Sequence, residues 1–470
     1  MGKRVKLSFP TGGRNREVVV VSRDMTPSSI RSVTGRPGVG AIVLACACML
    51  LFSTPNAAAA QSGERPALSK TEQRIRDYVR AHEAEQVAFL EKAVNISSGT
   101  FNLAGVRAVG KLFEPEFSSL GFETGWISLP DAVGRAGHLF AERKGTKGKR
   151  LLLIGHLDTV FEGDGERFVR LDTLAGGAGS SDMKGGDLVI LYALKALQSV
   201  GALDGTRIVV ALTGDEEDAG PLHLVSRQPL IDVAKRSDIA LAFEEDAGKG
   251  TVARRGMSGW QLVVSGRQAH SSGIFSPGTS YGAIYEAARI LNAFREKLSN
   301  EQYLTFNPAV IVGGTDVTYD STKIAGTAAG KDNIIAPRVF ARGDLRFISQ
   351  DQLVKAREAM RTIVNDHLPG TIATITFEDG NPAMPPTKGN LALLAVEDTV
   401  SRALGQGQVD ALDPGKRGGG DISYVSEYVD ALDGLGVKGM RSHTPDERVN
   451  LRSIGPATER AAILIYRLTR

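Results

Sequence analysis

Three short apolar runs each stop at a residue able to hold a cation or a proton. Leu151-Leu152-Leu153-Ile154 leads into Gly155-His156-Leu157-Asp158, and Ile208-Val209-Val210-Ala211-Leu212 into Thr213-Gly214-Asp215-Glu216-Glu217. Ile239-Ala240-Leu241-Ala242-Phe243 leads into Glu244-Glu245. In His156-x-Asp158 an imidazole can bind metal through one nitrogen while the carboxylate accepts from the other; alone, the pair reads more readily as a satisfied polar contact at a strand end. Asp182, in Gly179-Ser180-Ser181-Asp182-Met183-Lys184-Gly185-Gly186, stands where a loop enters a helix. It could cap that helix, or bridge two cations with one oxygen to each, the glycine pair letting the backbone bend tightly around that centre. The adjacent acids Glu216 and Glu217 repel unless a cation or solvent intervenes. One could coordinate a metal while its neighbour takes a proton from an activated water and delivers it to a leaving amine; with Asp215 and Asp218 alongside, an acidic surface loop is the plainer alternative. Glu244 and the distant His443, in Arg441-Ser442-His443-Thr444-Pro445, complete a nitrogen and oxygen donor set without thiolates. Such a set suits zinc, with cobalt or manganese as substitutes.

The runs also indicate what positions these residues. Short, wholly apolar segments are the pattern of strands buried on both faces of a parallel sheet, and residues 184–200 between the first two read as an amphipathic helix. Strand, helix, strand implies an α/β fold with a mainly parallel sheet, in which ligands bind beyond the carboxyl ends of the strands. Three such endings close together in sequence point to one shared site. Upstream, residues 69–94 and 98–113 read as helices. Near Arg254 the pattern changes. Trp260-Gln261-Leu262-Val263-Val264 alternates like a half-exposed strand, residues 281–298 and 351–364 are helical, and 322–326, 339–347 and 371–377 read as antiparallel strands. The resulting division is 61–253 and 380–470 as two parts of one catalytic domain, interrupted by an α+β insertion at 254–379. A helix within 448–466 is expected to close the chain on the first domain.

Residues 1–60 read as a signal peptide: a basic leader with Lys3, Arg4, Lys6, Arg14 and further arginines, an apolar run at 39–52, then Ala57-Ala58-Ala59-Ala60. Met25 offers an alternative start. The run is short for a membrane span, so export to the periplasm or medium is expected, with no stable membrane association after cleavage. The leader holds eight Lys/Arg and two Asp/Glu, leaving 48 basic against 51 acidic residues, so the chain's formal +3 becomes −3. That balance excludes an electrostatic nucleic-acid binder. Both cysteines, Cys46 and Cys48, lie in the apolar run, so the remainder has neither disulfide nor thiol chemistry.

His156-Leu157-Asp158-Thr159-Val160, Ser180-Ser181-Asp182-Met183-Lys184-Gly185-Gly186 and Thr213-Gly214-Asp215-Glu216-Glu217 resemble, in order and spacing, the two-zinc metallopeptidase family. That family includes folate-cleaving glutamate carboxypeptidase, acetylornithine deacetylase, succinyl-diaminopimelate desuccinylase and aminoacylase. The resemblance, from about residue 69 to 470, implies two zinc ions per subunit: His156 and Glu244 on one, Glu217 and His443 on the other, Asp182 bridging. It further implies Asp158 as the orienter of His156, Glu216 as general base and acid, a cis bond after Asp182, and a lid domain that dimerises. By the same resemblance His270, in Arg267-Gln268-Ala269-His270-Ser271-Ser272, would stabilise the oxyanion, in dimers on the partner subunit. Asn333 and the Gly418-Gly419-Gly420 loop would contact substrate. Where glutamate carboxypeptidases carry Arg before Pro-Ala, this chain has Asn381-Pro382-Ala383, leaving Arg417 beside the glycines to hold a carboxylate. The implied activity is hydrolysis of an amide next to a carboxylate-bearing amino acid, on a peptide or N-acyl amino acid. The alternatives are a dipeptidase or aminopeptidase, with Asp246 or Glu245 for the free amine, and an inactive peptide-binding relative.

Overall fold

A computed structural model describes residues 67–163 and 167–470; the leader and its apolar run lie outside them. The described residues form one compact unit. Its centre is a six-stranded sheet in the order Glu123–Ile127, His138–Arg143, Thr206–Thr213, Lys147–His156, Ile239–Ala242, Asp430–Leu432. The last four strands pair in parallel and the first two antiparallel, a mixed, mainly parallel α/β sheet. Alternate residues feed two separate apolar clusters: Leu151, Leu153, Val210 and Leu241 face one side, Leu152, Ile154, Ala211 and Ala240 the other. This two-faced burial is why the runs are apolar without alternation.

Helix Lys184–Ser199 lies on the first face and is almost wholly buried. A Cβ on Gly186 would collide with the carbonyl oxygen of Phe243, so glycine lets the helix start press against the strand that delivers Glu244. The glycine pair therefore serves close approach rather than a tight bend. Helix Leu451–Leu468 packs beside it; its N-terminal Arg448–Asn450 is a short strand rather than helix. The stretch 69–94 is two helices, Lys70–Ala81 and Glu83–Val94. The break is at His82, whose Nδ1 lies 2.8 Å from the Tyr78 carbonyl and whose φ/ψ of −112°/16° is not helical.

Between Gly256 and Asp379 a four-stranded antiparallel sheet runs Thr371–Asp379, Gly256–Gly266, Arg338–Phe347, Thr305–Gly314. Helices Ala283–Leu298 and Gln350–Asn365 cover it with their own buried cluster around Trp260, Phe294 and Met360. The segment 322–326 is not a lone strand. It is the turn and second strand of a hairpin, Asp316–Asp320 against Ala325–Ala329, where Asp320 accepts from the backbone of Thr322 and Lys323.

On the second face of the central sheet, helix His223–Ala234 is tied to two loops by one buried cation. Arg227 donates to Asp215 and Asp421, each contact 2.5 Å, and all three side chains are at most 4% exposed. Thr213 Oγ1 donates to the other Asp421 oxygen and Ser226 Oγ to Asp215. Removing the cation leaves two carboxylates without solvent or counter-charge. Arg227→Ala is expected to cost about 3–5 kcal/mol, read as a lower urea midpoint with unchanged slope.

Candidate metal centre

The three strand ends and two distant loops converge at the carboxyl edge of the central sheet. His156 ends its strand, with Nε2 3.3 Å from Asp182 Oδ1 and 4.0 Å from Glu244 Oε1. His443 enters from the turn after residue 440, with Nε2 3.0 Å from Asp182 Oδ2 and 3.2 Å from Glu217 Oε2. The two oxygens of Asp182 thus face two different imidazoles. Donor atoms of His156, Glu216 and Glu244 lie within 4.8 Å of one another, as do those of His156, Asp182 and Glu217. Asp182 caps nothing: Met183 holds the N-cap position and no side chain bonds there. The bond between Asp182 and Met183 is cis. Of the adjacent acids 244 and 245, Glu244 faces His156, whereas Glu245 accepts from Ser442 Oγ.

Contacts from behind hold the Glu216-Glu217 loop, the Asp182 loop and Glu244. Asp158 is fully buried; its Oδ1 accepts from the Glu216 amide at 3.0 Å, and its Oδ2 from the Glu217 amide at 3.1 Å and Thr100 Oγ1 at 2.6 Å. The nearest oxygen to His156 Nδ1 is the Asp158 carbonyl, at 3.1 Å, with the carboxylate at 3.5 Å. Asp158 therefore fixes the Glu-Glu loop as well as the imidazole. The Asp182 loop hangs on Glu447, which accepts from the amides of Gly179, Ser181 and Asp182 and from Ser181 Oγ. Arg254, 4% exposed, pairs with Asp433, lies 3.9 Å from Glu244 and donates to the Gly419 carbonyl. Thr100, Glu447 and Arg254 were not legible in advance. Nothing in the sequence separates Glu447 from Asp446, and Thr100 carries no charge signal.

The protonation equilibria report a centre short of positive charge. Burial, then the charge of Glu244, pushes Glu216 well above the usual carboxylate range. Burial also raises Glu217, and with Asp182 it brings Glu244 to about 7. Hydrogen bonds to Asp182 and Glu217 raise His443 to about 11. Burial is the largest influence on His156 and would lower it, but Asp158, Asp182, Glu216 and Glu244 outweigh that and hold it well above its ordinary value. Against burial, hydrogen bonds and charges from His156 and His443 hold Asp182 below the usual carboxylate range, while the three raised glutamates and two raised imidazoles are the response of clustered carboxylates lacking counter-cations. The donor set therefore fits divalent metal.

The other sequence-selected residues are placed elsewhere. His270 and Asn333 sit together, the Ser271 amide donating to the Asn333 carbonyl at 2.9 Å, and His270 Nδ1 lies 2.9 Å from Ser272 Oγ. Their recorded contacts stay within the inserted segment. Arg417 donates to the Glu245 carbonyl and, at 3.3 Å, to Thr251 Oγ1, so in this conformation it is turned to the backbone rather than into the cleft. Gly419 packs against Asn381: a Cβ there would strike the Asn381 amide nitrogen.

Residues 152–467 match the model of peptidase family M20/M25/M40. Carboxypeptidase G2 of Pseudomonas sp. (strain RS-16) is 26% identical over 81% of this chain and 88% of its own. Succinyl-diaminopimelate desuccinylase of Bradyrhizobium sp. (strain ORS 278) is 27% identical over 76% and 92%. Among solved structures, aminopeptidase PepT from Bacillus cereus ATCC 10987 shares the fold at a TM-score of 0.65 and 19% identity, covering 83% of this chain and 99% of that one. The Bacillus subtilis YXEP protein, a dinuclear metal-binding peptidase from the M20 family, does so at 0.58 and 13%, with the same coverages. The family match takes in more than half of the sequence, and the chain is a member of peptidase family M20/M25/M40, a metal-dependent hydrolase.

Proposed function

We propose that this chain hydrolyses an amide bond adjacent to a carboxylate-bearing amino acid, as a carboxypeptidase or N-acyl-amino-acid hydrolase loaded with two zinc ions. The observation that carries this reading is Asp182, with one oxygen toward His156 and the other toward His443. His156 and Glu244 would hold one cation, Glu217 and His443 the second, with Asp182 between them. When bound, the pair supplies acidified water and a polarised carbonyl. Burial and Glu244 raise Glu216 in the cation-free centre; with cations offsetting that charge, its carboxylate would take the proton of the attacking water and pass it to the departing nitrogen. Asp158 holds the backbone of Glu216 and so its aim. The carboxypeptidase and desuccinylase relatives support amide hydrolysis. Against a free-amine requirement, Asp246 is already engaged by Arg460 and the Gly248 amide, and Glu245 by Ser442. The edge strand Thr305–Gly314 and its exposed Ile311 suit a homodimer that would carry His270 to the partner's site. The leader composition supports export.

Glu216→Gln should keep its metal content yet lose at least ~10²-fold in turnover; full activity with bound metal overturns the assigned base. Glu447→Gln should weaken metal affinity by ~10–100-fold, measured by competition with a chelating dye, without loss of folded signal. Mixing inactive His270→Ala and Glu216→Gln subunits should recover turnover that neither shows alone; a mixture as inactive as its parts overturns the action of His270 across a dimer.

A further inference from the structure

The cleft containing Glu216 and Glu217 is a cavity of about 560 Å³ whose other wall is formed by His223, Asn381 and Tyr424. These three make one hydrogen-bonded chain. The Tyr424 hydroxyl lies 2.7 Å from Asn381 Oδ1 and 3.0 Å from His223 Nδ1, and the His223 and Tyr424 rings meet edge to face. Asn381 is thereby fixed in orientation, its amide nitrogen toward Gly419.

The charges on this wall are already spent. Arg227, the one cation among the described lining residues, gives its donors to Asp215, Asp421 and Ser226. Glu378 and Asp379 are bound by Arg342 and Arg357. Burial holds His223 below its ordinary value, so it stays neutral. At this wall a carboxylate would meet no free cation and would approach Asp421, whereas an ammonium would find Asp421, Glu378 and Asp379 already paired with arginines. An uncharged group that both donates and accepts hydrogen bonds matches an amide wall, because unmatched polar groups in such a site are costly.

We propose that the Asn381–Tyr424–His223 wall selects a carboxamide, so that the preferred substrate releases an amino acid with an amide side chain rather than an acidic or basic one. This rests on the amidohydrolase reading and refines its substrate class.

The test compares N-acetyl-glutamine, N-acetyl-glutamate and N-acetyl-lysine on the zinc-loaded protein, by kcat/KM and by calorimetric binding to Glu216→Gln. Glutamine is expected to lead both others by at least ~10-fold. Asn381→Arg should reverse the glutamine-to-glutamate order, and Asn381→Leu should lower glutamine without raising glutamate. Glutamate or lysine equal to or better than glutamine overturns the proposal, as does an Asn381→Arg variant with the original order, or binding of none of the three. Failure of the hydrolase reading looks different: none of the three compounds, nor any blocked dipeptide, is turned over. Glutamine-selective binding to Glu216→Gln would still uphold the wall's preference in that case.

Discussion

Mutual repulsion among carboxylates is the constraint around which this protein is arranged. Asp182, Glu216, Glu217 and Glu244 are brought to within a few ångströms of two imidazoles at the end of one sheet. Such a gathering is unfavourable in a poorly solvated cleft unless positive charge joins it. The protein holds the acids together regardless, through backbone amides, a threonine hydroxyl and a buried glutamate that fix the loops bearing them. The shifted protonation of His156 and His443 is the same constraint seen from the nitrogen side.

The supporting contacts form a closed circuit. Asp158 links the first strand end to the second through two amides. Arg227 links the second to the glycine-rich segment through Asp421. Arg254 links that segment to the third strand end through Glu244. Glu447, four residues beyond His443, links the carboxyl-terminal turn to the Asp182 loop. A shift in any one loop is therefore felt by donors on the others, and rigid placement of this kind is what metal and acid–base chemistry require.

Much of this was legible in the sequence because the physics was local. Strands buried on both faces must be apolar throughout, so residues 151–154, 208–212 and 239–243 declared themselves, and three such runs ending in a His or a carboxylate pointed to one site. The two antiparallel strands Glu123–Ile127 and His138–Arg143 did not stand out, because they lie toward one edge and carry mixed polarity. The helix break at His82 rests on one side-chain contact that periodicity cannot register. Of the hairpin after residue 315, the expected strand 322–326 takes in turn residues, and Asp316–Asp320 is too short and polar to give a strand signal. Residues that act through others, Thr100 and Glu447 above all, depend on a fold that brings partners 58 and 268 positions apart into contact. The chemistry of Arg417 was inferred from its neighbours in sequence, but its partners are set by tertiary packing at Glu245.

The wide separation of the metal donors along the chain has a consequence for biogenesis. Four of the five candidate donors lie at or before residue 244, but His443, and Glu447 that holds the Asp182 loop, follow only after the second sheet and both of its helices. A fragment stopping short of that turn would carry the acids without the second imidazole. Closing the candidate centre therefore needs both segments of the chain, and any cation bound there would favour an assembled state that fragments lacking His443 cannot reach.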